Sequence, residues 1–72
     1  MYYVYLLKNE YNKIYIGYSC DLRRRVEEHG KTWELVYYEA YRAKKDAILR
    51  ERKLKHYGNS LAHLKKRLSH SL

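Results

Sequence analysis

Tyr5 and Tyr15 stand ten residues apart, Arg25 and His29 one helical turn apart, and Glu51 falls among the apolar residues Ala47, Ile48 and Leu54. Together these types suit attack on a phosphodiester. A carboxylate can hold Mg²⁺ through one direct contact while the ion keeps several waters. A guanidinium matches phosphate oxygens bidentately, and a phenol or an imidazole can take a proton from attacking water. A free phenol of pKa near 10 is ionised only about one part in a thousand at pH 7, so about 4 kcal/mol separates an ordinary tyrosine from a useful base. A cation and an arginine nearby could supply that difference.

Other chemistries fit less well. His56, His63 and His70 recur every seven residues, which on a continuous helix puts neighbours about 10.5 Å apart, too far to share one ion. They read as surface histidines. Cys20 is the single cysteine; it has no thiol partner and no flanking signature of a nucleophile, and reads as a small, part-buried thiol. The three glycines, at 17, 30 and 58, are too scattered to cradle a nucleotide phosphate.

The elements that must position the five polar residues follow from local pattern. Tyr2 to Leu7 and Ile14 to Tyr18 are aromatic, β-branched or leucine almost throughout and read as a hairpin with a loop of about five residues. Pairing Leu7 with Lys13 sets Tyr5 opposite Tyr15 and puts Val4, Leu6, Ile14 and Ile16 on the other face. Gly17 marks a place where a side chain would crowd whatever approaches the sheet. Ser19 or Asp21 can cap a helix in which Leu22, Val26, Arg25 and His29 share one arc, and Gly30 suits its end. Trp33 to Ala40 is a third strand. Ala43 to Tyr57 reads as a helix of about four turns closed by Gly58. Asn59 and Ser60 can cap a last short helix whose Leu61, Leu64 and Leu68 pack as a flap. The order is β-β-α-β-α-(α), an α+β fold in one domain spanning 1–72.

Charge narrows the partner. Sixteen Lys and Arg against eight Asp and Glu leave +8 on 72 residues, a field that attracts polyanions, nucleic acid first and an anionic membrane surface second. Lys13, Arg23, Arg24 and Arg25 are the candidate contacts. Arg23, Arg24 and Arg25 oppose the helix dipole in the first turn, so either the positive charge has a use or these are ordinary solvated arginines. Glu51 likewise is either a functional carboxylate or half of a structural pair with Lys55 or Arg25. No apolar run reaches the ~20 residues of a membrane span. The first residues read as a strand rather than a leader, so the cytoplasm is the default location.

Tyr3-Val4-Tyr5, Tyr15-Ile16-Gly17, Arg25, His29 and Glu51 in Ala47-Ile48-Leu49-Arg50-Glu51 occur in an order and spacing that resemble the GIY-YIG endonuclease family. Its small stand-alone members, similar to the nuclease module of the excision-repair incision enzyme, are nearest in look. The resemblance runs from Tyr2 to about Tyr57, with Tyr3 standing where the family name has its first glycine. It implies a three-stranded antiparallel sheet flanked by helices, and hydrolysis of DNA with one divalent cation, Mg²⁺ or Mn²⁺. It further implies that Tyr5 and Tyr15 are the motif tyrosines, one a general base and the other placing water or phosphate. Arg25 would stabilise charge on the scissile phosphate, His29 would assist, and Glu51 would bind the metal. Of residues after Glu51, Asn59 is the candidate for the family's late asparagine. The expected substrate is branched, flapped or damaged DNA in repair or recombination, and the expected partner, if the chain does not act alone, is a larger repair or nuclease protein. The alternative is a non-catalytic nucleic-acid-binding module that keeps the fold and the basic face.

Overall fold

The computed structural model describes residues 1–56 and 58–72. Its elements are β1 (Tyr2–Asn9), β2 (Ile14–Ser19), α1 (Leu22–His29), β3 (Trp33–Tyr41), α2 (Lys44–His56) and α3 (Gly58–Arg67). The strands form one antiparallel sheet in the order β2-β1-β3. The α+β architecture and the element order are those expected.

The hairpin register differs from the expected pairing. Tyr5 lies opposite Gly17, Leu6 opposite Ile16 and Leu7 opposite Tyr15, so the two tyrosines are diagonal neighbours. The turn is the reason. Asn9 N–H reaches Lys13 O at 3.1 Å, closing three residues rather than five, and Asn12 N–H bonds back to Asn9 O at 3.0 Å. The Asn9 side chain accepts from the N–H groups of Tyr11 and Lys13, each at 3.0 Å. Asn12 takes the left-handed conformation (φ 63°) that such a three-residue loop needs. Because strand pairing shifts by two, the parity of each side chain survives: Val4, Leu6, Ile14 and Ile16 keep one face, and Tyr5 and Tyr15 keep the other.

The first face is the main core. Val4, Leu6 and Ile16 pack with Ala47 and Leu54 of α2 and Leu64 of α3, and Tyr37, Tyr41, Leu61 and Leu68 close in around them. Leu64 is fully enclosed, so α3 is part of the core rather than a flap over it. It also begins at Gly58, which places Asn59 and Ser60 inside the helix instead of at its cap. The expected end of the preceding helix at Tyr57 lies outside the described residues.

β3 changes faces midway. Leu6 pairs with Tyr37 but Leu7 pairs with Leu35, leaving Val36 as an extra residue, and Val36 and Tyr37 both pack on the core. This bulge turns Leu35 and Trp33 toward the second face. At the far end of β3, Glu39 is gripped by Arg50 of α2 through Nε at 2.9 Å and a terminal nitrogen at 3.0 Å. It also accepts the hydroxyls of Tyr37, at 2.7 Å, and Tyr41. The clamp ties α2 to the sheet one residue from Glu51.

Candidate active site

Tyr5 is built into the second face by a missing methyl group. A Cβ at Gly17 would come within 2.4 Å of both Cζ and the hydroxyl of Tyr5, far inside contact distance, so only glycine leaves room for the ring to lie across β2. The ring is thereby sealed: Tyr5 is 2 % exposed. Its hydroxyl meets His29 Nε2 at 3.4 Å, a long hydrogen bond.

α1 brings His29 there because both of its ends are fastened. Asp21 caps it, its carboxylate accepting Arg24 N–H at 3.2 Å. Ser19 supports the cap, its Oγ accepting Asp21 N–H at 2.9 Å and donating to Asp21 O at 3.1 Å. Gly30, at φ 82°, stops the helix while its N–H bonds to Glu27 O at 3.1 Å. Of the two expected caps Asp21 is the one that caps the helix, with Ser19 bracing it, and the expected terminating glycine is in place.

The His29 ring stands 4.6 Å from that of Tyr15, and the Tyr5 and Tyr15 rings are 6.3 Å apart. Tyr15 is 40 % exposed and also meets the edge of Trp33 at 6.2 Å. The two phenols thus differ. Burial, then the neighbouring Tyr15, push the Tyr5 phenol above its ordinary pKa; Arg25 pulls it down, and Glu51 and Glu28 push it up. Burial wins, so Tyr5 keeps its proton and the open rim of the cluster belongs to Tyr15 and His29. The same balance places Arg25 of α1 and Glu51 of α2 within electrostatic reach of Tyr5.

Arg25 is exposed and pairs with Glu28 at 3.6 Å. Glu51 has a side chain only 23 % exposed and pairs with Lys55 at 3.6 Å, the structural partner that the sequence allowed. Arg23 and Arg24 are exposed on α1, beside Glu27 at 3.6 Å and Glu28 at 3.2 Å respectively. Lys13 is exposed at the hairpin turn and Asn59 is exposed in α3; neither joins the cluster. Cys20 is exposed rather than part-buried, because it follows the end of β2 directly and precedes the capped helix. Trp33 and Glu28 are additions to the site. Glu28 could have been found from its i,i+3 spacing to Arg25, but Trp33 reaches the site only through the β3 bulge.

No three His, Cys, Asp or Glu side chains come together as a metal cluster among the described residues. A lone, half-sheltered carboxylate does not fit zinc, which needs three or four protein ligands. It fits Mg²⁺, which retains waters and commonly takes one or two carboxylates plus substrate phosphate.

The sequence profile of the GIY-YIG catalytic domain matches residues 1–67. This chain belongs to the GIY-YIG family. UPF0213 proteins of Staphylococcus aureus strains Mu3 and N315 are each 33 % identical to it, in alignments covering 76 % of this chain and 80 % of theirs. A UPF0213 protein of Bacillus halodurans, solved by solution NMR, superposes with a TM-score of 0.61 at 30 % identity, over 90 % of this chain and 86 % of that one. The GIY-YIG family is one of endonucleases acting on DNA. Within the described residues of this GIY-YIG domain no helix is long and apolar enough to cross a membrane.

Proposed function

We propose that this GIY-YIG domain hydrolyses phosphodiester bonds in branched, flapped or damaged DNA, with one divalent cation, Mg²⁺ or Mn²⁺, held by Glu51. The observation that carries the reading is the sealed Tyr5 hydroxyl against His29, beside the open Tyr15 ring, with Arg25 and Glu51 near enough to act on that phenol. Nothing in the core calls for that convergence.

The residues divide the work. Arg25, exposed and loosely held by Glu28, exchanges that partner for a phosphate oxygen and stabilises the charge that builds up there. Glu51 gives up Lys55 to take the cation, which when bound would neutralise phosphate charge and acidify water. Tyr5 holds its proton and fixes the His29 ring. Proton removal from the attacking water falls to Tyr15 and His29, the part of the cluster open to solvent. The water oxygen bonds to phosphorus as the phosphorus–oxygen bond to the leaving strand end breaks.

One observation favours the non-catalytic alternative: Glu51 is already paired with Lys55, and no group of three His, Cys, Asp or Glu side chains forms among the described residues. The test is incubation of the pure chain with branched, flapped and nicked DNA in Mg²⁺, Mn²⁺ or EDTA, beside Glu51→Ala. Cleavage that needs metal and drops by at least 10²-fold in the variant, the cost of about 2.7 kcal/mol of transition-state stabilisation, is expected. Binding without cleavage, equal in both proteins, sinks the enzyme reading and leaves the binding module. A third reading, that the chain works only when assembled with a larger nuclease or repair partner, predicts co-purification of a stoichiometric partner; a lone monomer counts against it.

A further inference from the structure

On the second face, next to the buried phenol, sit two tyrosines that the reaction does not use. Tyr38 is paired across the sheet with Tyr5, so it lies one strand spacing, about 4.8 Å, from it. It is 53 % exposed. Tyr3, two residues before Tyr5 on the same face, meets Tyr38 edge-on, with ring centroids 6.1 Å apart at 64°. Edge-on packing braces the two rings against each other, and Tyr38 stays more than half open to solvent.

The space over this pair is a groove of about 330 Å³ walled by the first turn of α1, with Leu22 and Arg23 facing Tyr3 and Tyr38. Asp21 is its one acidic lining group, and its carboxylate is already committed to capping α1. On the other side of the same helical turn is a polar groove of about 220 Å³ lined by Ser19, Cys20, Arg24, Arg25 and Glu28. Cys20 borders both. A strand crossing the start of α1 therefore meets Arg24 and Arg25 in one groove and Arg23 with the exposed Tyr38 ring in the other.

We propose that Tyr3 and Tyr38 form a shelf that takes one unstacked base of a DNA strand whose backbone lies in the groove of Arg24 and Arg25. The ligand class rests on the nuclease reading above. The occupant follows from charge and shape: a +8 chain with arginines on both grooves selects a polyanion, and an exposed phenol ring beside them offers a planar ring a stacking partner. A base inside a duplex has both faces covered by its neighbours, so the shelf accepts only a base at a flap, branch, gap or frayed end. The site would thereby prefer interrupted DNA without reading its sequence.

The experiment is fluorescence anisotropy in EDTA, so that nothing is cut, with a dye-labelled single-stranded oligonucleotide and a fully abasic strand carrying the same number of phosphates. The wild-type chain is expected to bind the base-bearing strand about tenfold more tightly, the worth of one base–aromatic stack. Tyr38→Ala, at an exposed position, should erase that preference while leaving affinity for the abasic strand unchanged; Tyr38→Phe should keep it. Circular dichroism of both variants checks the fold. Equal affinity for the two strands in the wild type, or an intact preference in Tyr38→Ala, overturns the shelf alone. Failure to bind either strand overturns the nucleic-acid reading with it.

Discussion

Gly17 shows how one missing methyl group can place a reactive side chain. Adding that methyl drives a Cβ into a ring that is sealed on every side, so the ring has no flexible end to give way. Gly17→Ala is expected to lower stability by about 1–3 kcal/mol, the range for overpacking a filled core. It should also part the Tyr5 hydroxyl from His29. Urea denaturation reads the first effect, and the His29 ring signals in an NMR titration read the second. The residue types of the site were legible in the sequence, and so was Gly17 as a place of close approach. What approaches it was not: with the hairpin paired through a five-residue loop, Tyr15 seemed to face Tyr5, and the left-handed Asn12 that shortens the turn carries only a weak signal in its residue type. Cys20 was misjudged as part-buried because composition says nothing of where a chain leaves a sheet edge.

Elements are joined by the Glu39 clamp, which links β3 to α2 and was not foreseen. Glu39 sits in a strand pattern that the bulge at Val36 re-phases, so its direction could not be read from alternation alone. Burial by itself would raise the Glu39 carboxyl, but hydrogen bonds from Arg50, Tyr41 and Tyr37 outweigh it and hold the group below the ordinary carboxylate range. Burial and the same carboxylate push Tyr41 up to about 12. The signs follow. A depressed carboxyl contributes stability that is full above the ordinary carboxylate pKa and is lost as pH falls through the folded value. A raised phenol contributes stability that is full below about pH 10 and is lost as pH rises toward about 12. The urea midpoint should therefore be flat near neutrality and fall at both ends. In Glu39→Gln it should be lower near neutrality, by about 1–3 kcal/mol in stability, with both limbs shallower so that the difference from the wild type narrows toward acid and alkaline pH. The helices themselves were more legible than this tie: Asp21, Ser19 and Gly30 bound α1 as their residue types suggest, and Glu51 falls on the sheltered side of α2 as its apolar neighbours imply.

For the molecule as a whole, a charge of +8 sets the terms on which it would meet a polyanion such as DNA. Arg23, Arg24 and Arg25 crowd the helix end that prefers acids, and the ion pairs they make there are exposed and individually worth little. Removing one of these charges should cost the fold almost nothing. Arg23→Gln is expected to leave thermal stability unchanged or raised by a few tenths of a kcal/mol, while weakening DNA binding and reducing the slope of log affinity against log salt by about one. Calorimetry and a salt series of binding titrations check the two halves. An unchanged slope would mean that Arg23 is only solvated.

β1 is hydrogen-bonded to a strand along each of its sides, whereas β2 has one side free. The phenol that retains its proton is consequently anchored in the segment that backbone amide exchange with deuterium should release last, and the phenol that opens to solvent rides on a margin that breathes first. Under the proposed function, loosening of that margin would let a strand enter or leave while the anchored half keeps its arrangement.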